Sequence, residues 1–147
     1  MASRQTLSDN VLASIHVLSN RITRAFEAKL DSEHGLSVPE WRVLLSVSHD
    51  VRPTAKDIHE AWAMDKMTVS RAVRRLDAKR LLRRVQSRHD RRRYELESTP
   101  RGARLIERIL PTADARYHEI LSCLTSRERA QFRKMLSKLT KHSEGLD

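Results

Sequence analysis

The chain has 147 residues, 39% hydrophobic and 33% charged, with three glycines, four prolines, one cysteine and a formal net charge of +10. That length holds one domain with a real core and room for an appended oligomerisation region. So few turn residues argue against an all-β fold, and the lone Cys123 excludes an internal disulfide framework or a cysteine-based zinc site.

From Thr6 to Asp31, apolar residues at Val11, Ile15, Leu18, Ile22 and Phe26 recur every three or four positions, which predicts a long amphipathic helix that Gly35 breaks. Ser37-Val38-Pro39-Glu40 then reads as a capping box, a hydroxyl followed three residues later by Glu. It opens a helix containing Trp41, Val43, Leu44, Leu45 and Val47, which Arg52-Pro53 ends. Thr54-Ala55-Lys56-Asp57 starts a short helix to about Trp62. Asp65 is placed to N-cap the next helix, whose apolar face is Val69, Ala72, Val73 and Leu76.

The period then changes. Arg83–Gln86 and Arg93–Glu97 alternate as two short strands around the polar tip Ser87-Arg88-His89-Asp90-Arg91-Arg92. Thr99-Pro100 supplies an N-cap and a proline at the first helical position, opening a long helix. Pro111 lies inside that helix and predicts a kink or break near Leu110. Thr125-Ser126-Arg127-Glu128 is a further capping box, opening a last helix with Phe132, Met135, Leu136 and Leu139 on one face.

Charge is concentrated within this order. Residues 65–93 hold twelve Lys and Arg against Asp65, Asp77 and Asp90, a balance of +9 that leaves +1 for the other 118 residues. A block of one sign is the electrostatic footprint of a polyanion partner, whereas a merely solvated face carries both signs. The block has few large apolar groups and no aromatic before Tyr94, which favours nucleic acid over a membrane surface.

Short helix, tight turn, second helix and two-stranded ribbon in one basic block make a winged helix-turn-helix, whose second helix enters the major groove. Thr68, Ser70 and Arg71 suit base edges; Lys66, Arg74 and Arg75 suit phosphates equally well. The expected fold is mainly α with a small two-stranded β wing. Residues 36–98 form the DNA-binding lobe, and residues 6–31 and 99–142 a helical dimerisation region.

Leu36-Ser37-x-x-Glu40-Trp41-Arg42-Val43-Leu44, Asp65-Lys66-Met67-Thr68-Val69-Ser70-Arg71-x-Val73-x-x-Leu76, Asp90-Arg91-Arg92 and Ser98-Thr99-Pro100-Arg101-Gly102 resemble the MarR family of bacterial regulators, over roughly residues 7–142. The resemblance implies a homodimer joined through the first and last two helices on a pseudopalindromic operator. It also implies a repressor that a small ligand, often an aromatic acid or related anion, releases from DNA. The family's wing pattern carries over to Asp90 and Arg92, with Arg88 and Arg91 beside them on the tip. Arg92 then enters the narrow minor groove, where negative potential is enhanced, while Asp90 orients the tip by pairing with a neighbouring arginine. Departures are Arg80 where the family has Gly before the first wing strand, Ser98 for Leu, and Met67 for a small polar residue.

For the effector, His16 and Arg42 are candidate polar groups and Trp41 a candidate wall, although Trp41 suits the core equally well. Seven scattered histidines form no close metal-ligand motif, and Cys123 in Ile120-Leu121-Ser122-Cys123-Leu124 is expected to be a buried, inert thiol. No P-loop, no GxGxxG and no nucleophile with an adjacent base appears, so no enzyme and no cofactor is expected. The competing readings are a nucleic-acid-binding winged helix without a regulatory role and a redox- or metal-responsive regulator. No run of about 18 apolar residues exists to span a membrane, and no apolar stretch follows Met1–Thr6 to serve as a signal peptide. The expected compartment is the cytoplasm.

Overall fold

The computed structural model describes residues 10–49 and 52–146. The elements run α1 (Val11–His34), α2 (Val38–His49), α3 (Ala55–Trp62), α4 (Lys66–Ala78), β1 (Leu82–Gln86), β2 (Tyr94–Ser98), α5 (Pro100–Leu121) and α6 (Ser126–Ser143). The chain divides into two compact units, Met1–Glu107 and Arg108–Asp147.

Local chemistry explains most boundaries. Asn10 caps α1 by accepting from the N–H groups of Leu12 and Ala13; the start expected at Thr6 lies outside the described residues. The helix continues three residues past the expected Asp31, because Gly35 at φ 61° closes it and donates its N–H to Asp31 O at 2.9 Å. Thr54 with Asp57, and Thr125 with Glu128, form the reciprocal capping pairs that their spacing predicts. In both, the carboxylate accepts first from its threonine's backbone N–H and then from the hydroxyl, and these bonds hold Asp57 and Glu128 below the usual carboxylate range.

Within the first unit the helix-turn-helix pair α3 and α4 packs against α2, and α4 continues into β1. The sheet is a single antiparallel ribbon with Leu82 opposite Ser98 and Gln86 opposite Tyr94. Pro53 and Thr54 flank it, since Leu96 N–H donates to Pro53 O at 2.9 Å and Thr54 bridges Glu95. The second strand starts one residue later than expected because Arg93 closes the tip. Its N–H donates to Asp90 O, and its carbonyl accepts from Ser87 N–H, both at 2.9 Å. Leu36, Leu44, Ile58, Val69, Leu76 and Leu82, each at most 1% exposed, centre the core.

One carboxylate ties three helix ends together. Glu40, 2% exposed, accepts the Ser37 N–H through Oε2 at 2.7 Å, and Ser37 Oγ accepts the Glu40 N–H in return at 3.3 Å. Its Oε1 accepts from Lys79 Nζ at 2.7 Å, and the same ammonium donates to Gly35 O at 2.7 Å. The end of α1, the start of α2 and the end of α4 therefore meet at one ion pair. Burial pushes the Glu40 carboxyl up, but the bonds from Lys79 and Ser37 together outweigh it and hold the group below its ordinary value.

One helix differs from its expected form, and Arg80 holds its turn as a residue in the place of glycine must. Pro111 lies within α5, yet no break occurs and the helix runs through to Leu121. Pro111 removes only the bond to the Glu107 carbonyl, and both residues are exposed, so water can satisfy that carbonyl. Arg80 adopts φ 56° after α4, the left-handed conformation that glycine takes at no steric cost. The turn is held there because Thr99 Oγ1 donates to Arg80 O at 2.8 Å and Leu81 N–H donates to Leu76 O at 2.9 Å.

Two outcomes follow for stability. Arg80→Gly relieves a left-handed arginine, about 1–2 kcal/mol, against about 0.5–1 kcal/mol of added chain entropy in the unfolded state. Thermal melts at matched concentration should show Tm raised by about 1–4 °C; a fall in Tm contradicts the strain argument. Gly102→Ala should do the reverse, since its Cβ would lie 2.0 Å from the Leu81 carbonyl oxygen, a backbone clash costing about 1–3 kcal/mol.

Acid should act through Glu40. Its lowered pKa means that its contribution is fully present above the unfolded value of 4.5 and is lost as pH falls through the lower folded value. The stability difference between wild type and Glu40→Gln, followed by denaturant titration, should be constant above about pH 5.5 and should shrink below 4.5. A difference that stays flat down to pH 3 contradicts an ionised, bonded Glu40.

Candidate nucleic-acid interface

Asp65 N-caps α4, its carboxylate accepting from the hydroxyl and then the N–H of Thr68, and these bonds hold it below the usual carboxylate range. The cap starts the helix where the basic block begins. Val69, Ala72, Val73 and Leu76 face inward at 3% exposure or less. Lys66, Arg71, Arg74 and Arg75 are exposed, and Thr68 and Ser70 half-buried at the flanks of the outward face. Thr68 differs from the free base-reading hydroxyl expected, because its proton is committed to Asp65. Ser70 Oγ has no partner among the described residues.

The wing tip is organised by its own backbone and by Asp90. Asp90 Oδ1 accepts from Arg92 N–H at 2.9 Å, and Oδ2 lies 3.6 Å from Arg93 Nε. The tip's orienting pair is therefore Asp90 with Arg93, a residue outside the expected site. Gln86 Nε2 adds a bond to Arg91 O at 2.8 Å. Sequence reasoning missed Gln86 as well; the signal was the strand alternation, which places it at the end of β1 facing the tip. Arg88, Arg91 and Arg92 remain exposed.

Ion pairs sort the twelve basic residues of the block. Lys79 pairs with Glu40 at 2.7 Å, Arg83 with Glu97 at 2.9 Å, Arg84 with Asp77 at 3.9 Å and Arg93 with Asp90 at 3.6 Å. The other eight, Lys66, Arg71, Arg74, Arg75, Arg80, Arg88, Arg91 and Arg92, have no acidic partner among the described residues and are all exposed. Seven of these eight are the cations expected from sequence to meet DNA; Arg80 is the eighth. They cluster on α4, the turn after it and the wing tip, the surfaces a winged helix offers to a duplex.

The effector candidates sit in separate settings. Trp41 is 3% exposed and meets Phe26 edge-on, ring centroids 6.0 Å apart, so it belongs to the core. Arg42 stacks over the Trp62 ring at 5.3 Å, while Trp62 Nε1 donates to Ser46 Oγ at 2.9 Å. His16 is exposed on α1. A cleft of about 240 Å³ lies between α1, α2 and α4 instead, lined by Glu27, Ser37, Pro39, Thr68, Ala72, Arg71 and Arg75.

Cys123 is exposed, contrary to the buried thiol expected. The helix ends at Leu121, so Ile120, Leu121 and Leu124 take the half-buried positions and Cys123 falls in the turn that follows. Among the described residues, no group of three or more His, Cys, Asp or Glu could hold a metal ion, and no helix is long and apolar enough to cross a membrane.

The model of the MarR family matches residues 34–93, which span the end of α1 to the wing tip. The transcriptional regulator PecS of Dickeya dadantii is 27% identical over 135 residues, covering 90% of this chain and 81% of PecS. The fold is similar to that of a MarR/EmrR family regulator from Acinetobacter sp. ADP1, with TM-score 0.89 at 23% identity over 96% of this chain and 99% of that one. It is also similar to BpsR of Bordetella bronchiseptica, whose DNA binding is regulated by 6-hydroxynicotinic acid. There the TM-score is 0.83 at 24% identity, over 94% of this chain and 98% of that one. A winged helix whose exposed cations gather on α4 and the wing is thus matched by the MarR family model across residues 34–93, and its fold is similar to that of a MarR/EmrR family regulator over nearly the whole chain.

Proposed function

We propose that the protein is a cytoplasmic repressor that binds a pseudopalindromic operator as a homodimer and is released by a small anionic effector. The observation that carries this reading is the segregation of charge, with eight exposed cations on α4, the turn after it and the wing tip that pair with no acid among the described residues. Phosphate neutralisation supplies sequence-independent affinity, and base contacts from α4 supply the choice of site. Arg71 takes the base-reading role and Lys66, Arg74 and Arg75 hold phosphates, while Arg88, Arg91 and Arg92 serve the minor groove beside Asp90.

The dimer is supported by apolar side chains left in water on single helices. Val11, Leu12, Val17 and Leu18 of α1 are 43–69% exposed, and Met135 and Leu139 of α6 are 57% and 47% exposed. A second copy covering residues 11–31 and 99–142 removes that surface from water. The effector reading rests on the cleft at α4, where Arg71 and Arg75, in no ion pair among the described residues, stand beside Pro39 and Ala72 and outnumber the one carboxylate of the lining, Glu27. A small aromatic acid bound there competes with DNA for the same cations. An aromatic acid, 6-hydroxynicotinic acid, regulates DNA binding of the similar BpsR.

Operator affinity should fall steeply with salt, log K against log[salt] having a slope of about −0.9 for each phosphate neutralised. With several contacts per subunit the slope should be steeper than about −3, and a shallower one contradicts the charge argument.

The two contact classes separate by mutation. Arg92→Ala should weaken binding most where the minor groove under the wing is narrow and A·T-rich. Arg71→Ala should relax discrimination at one major-groove position, by about 1–3 kcal/mol. Titration against operator, single-base variants and random duplex reads both effects. Unchanged operator affinity in Arg92→Ala removes the wing from the interface, and equal weakening on all sequences in Arg71→Ala makes Arg71 a phosphate clamp.

A further inference from the structure

The outward face of α4 holds one residue that charge does not explain. Met67 is 60% exposed in the first turn of the helix. Residues 67, 71 and 74 follow one another at helical spacing, so Met67, Arg71 and Arg74 form a single stripe. At 100° per residue that stripe lies opposite the buried stripe of Val69, Ala72, Val73 and Leu76. A helix docked by its outward face places this stripe deepest in the groove. Its neighbours along that stripe are Arg71 and Arg74, and most of the side chain is left in water.

We infer that Met67 reads the C5-methyl group of a thymine in the major groove. This rests on the reading of α4 as the recognition helix. Among the groups that base pairs present in that groove, the thymine methyl is the apolar one; the others donate or accept hydrogen bonds. An unbranched, polarisable side chain with three rotatable bonds can close on such a methyl without a fixed approach angle. Met67 and Arg71 are about 6 Å apart along the helix axis, close to two base-pair steps of about 3.4 Å. The operator should therefore carry its methyl-read thymine within about two base pairs of the position read by Arg71.

The test removes the methyl from the DNA and the thioether from the protein. A high-affinity duplex is selected from random sequence, and each thymine of one half-site is replaced in turn by deoxyuridine, which lacks only the methyl. One replacement should weaken the wild-type protein about fourfold, the worth of one buried methyl-sized group. Met67→Ala should bind the thymine and deoxyuridine duplexes at that position equally, while Met67→Leu keeps the preference. The side chain is exposed, so both variants should melt with the wild type. The inference is overturned if no deoxyuridine position within α4's reach weakens the wild type, or if Met67→Ala retains the full methyl preference. Failure of the wild type to bind any duplex overturns the DNA-binding reading itself, which separates the two claims.

Discussion

The Glu40 carboxylate is the constraint on which the rest of the first unit depends. It is buried and ionised, and Lys79 and the Ser37 N–H converge on it, while Lys79 also holds the Gly35 carbonyl. The pair is buried on one side only, Glu40 being enclosed and the Lys79 side chain 39% exposed, and it adds little net stability, because desolvation of the carboxylate offsets most of the attraction. Removing Lys79 is costly, however, since the Glu40 carboxylate is then left uncompensated in the interior. The pair therefore acts as a register pin. It fixes the C-terminal end of α4 against the end of α1, so the helix proposed to enter the groove and the helix proposed to join the dimer share one anchor. The left-handed Gly35 and the left-handed Arg80 flank that anchor on either side.

Charge is distributed around this pin by a simple sorting. Four cations of the basic block turn toward carboxylates of the fold and eight face solvent. The exposed pairs, such as Arg84 with Asp77, contribute about 0–1 kcal/mol each to the fold, so their larger effect is to hold arginines away from the proposed interface. The eight others repel one another, a cost of the free state that a polyanion relieves. The wing shows the same economy at shorter range. Asp90 uses both oxygens on the tip's backbone and on Arg93, which leaves Arg88, Arg91 and Arg92 outward.

Much of this was legible in the sequence, because local chemistry sets most of the element boundaries. The hydroxyl-to-carboxyl spacings at Ser37, Thr54 and Thr125 located three helix starts, and the change from a helical to an alternating period located the wing. What escaped had long-range or competing causes. Lys79 counted as one more cation until the fold brought it to Glu40, 39 positions away. Thr68 carried a free hydroxyl on paper, but the N-cap it must satisfy claims that proton. Pro111 promised a break that an exposed carbonyl and intact flanking turns avoid, and Cys123 lost its expected burial because the helix stops two residues earlier. Trp41 shows the limit of reading an effector site from sequence, since an aromatic on an apolar face serves the core as well as a pocket.

In the proposed complex, two copies present α4 and the wing to one face of a duplex. Hydroxyl-radical and methylation footprinting of the wild-type protein on a selected operator tests it most directly. Two equivalent major-groove protections should appear with centres about 10–10.5 base pairs, or a multiple, apart, each flanked by a protected minor groove where the wing enters. A single protected patch, or protection without helical phasing, contradicts it.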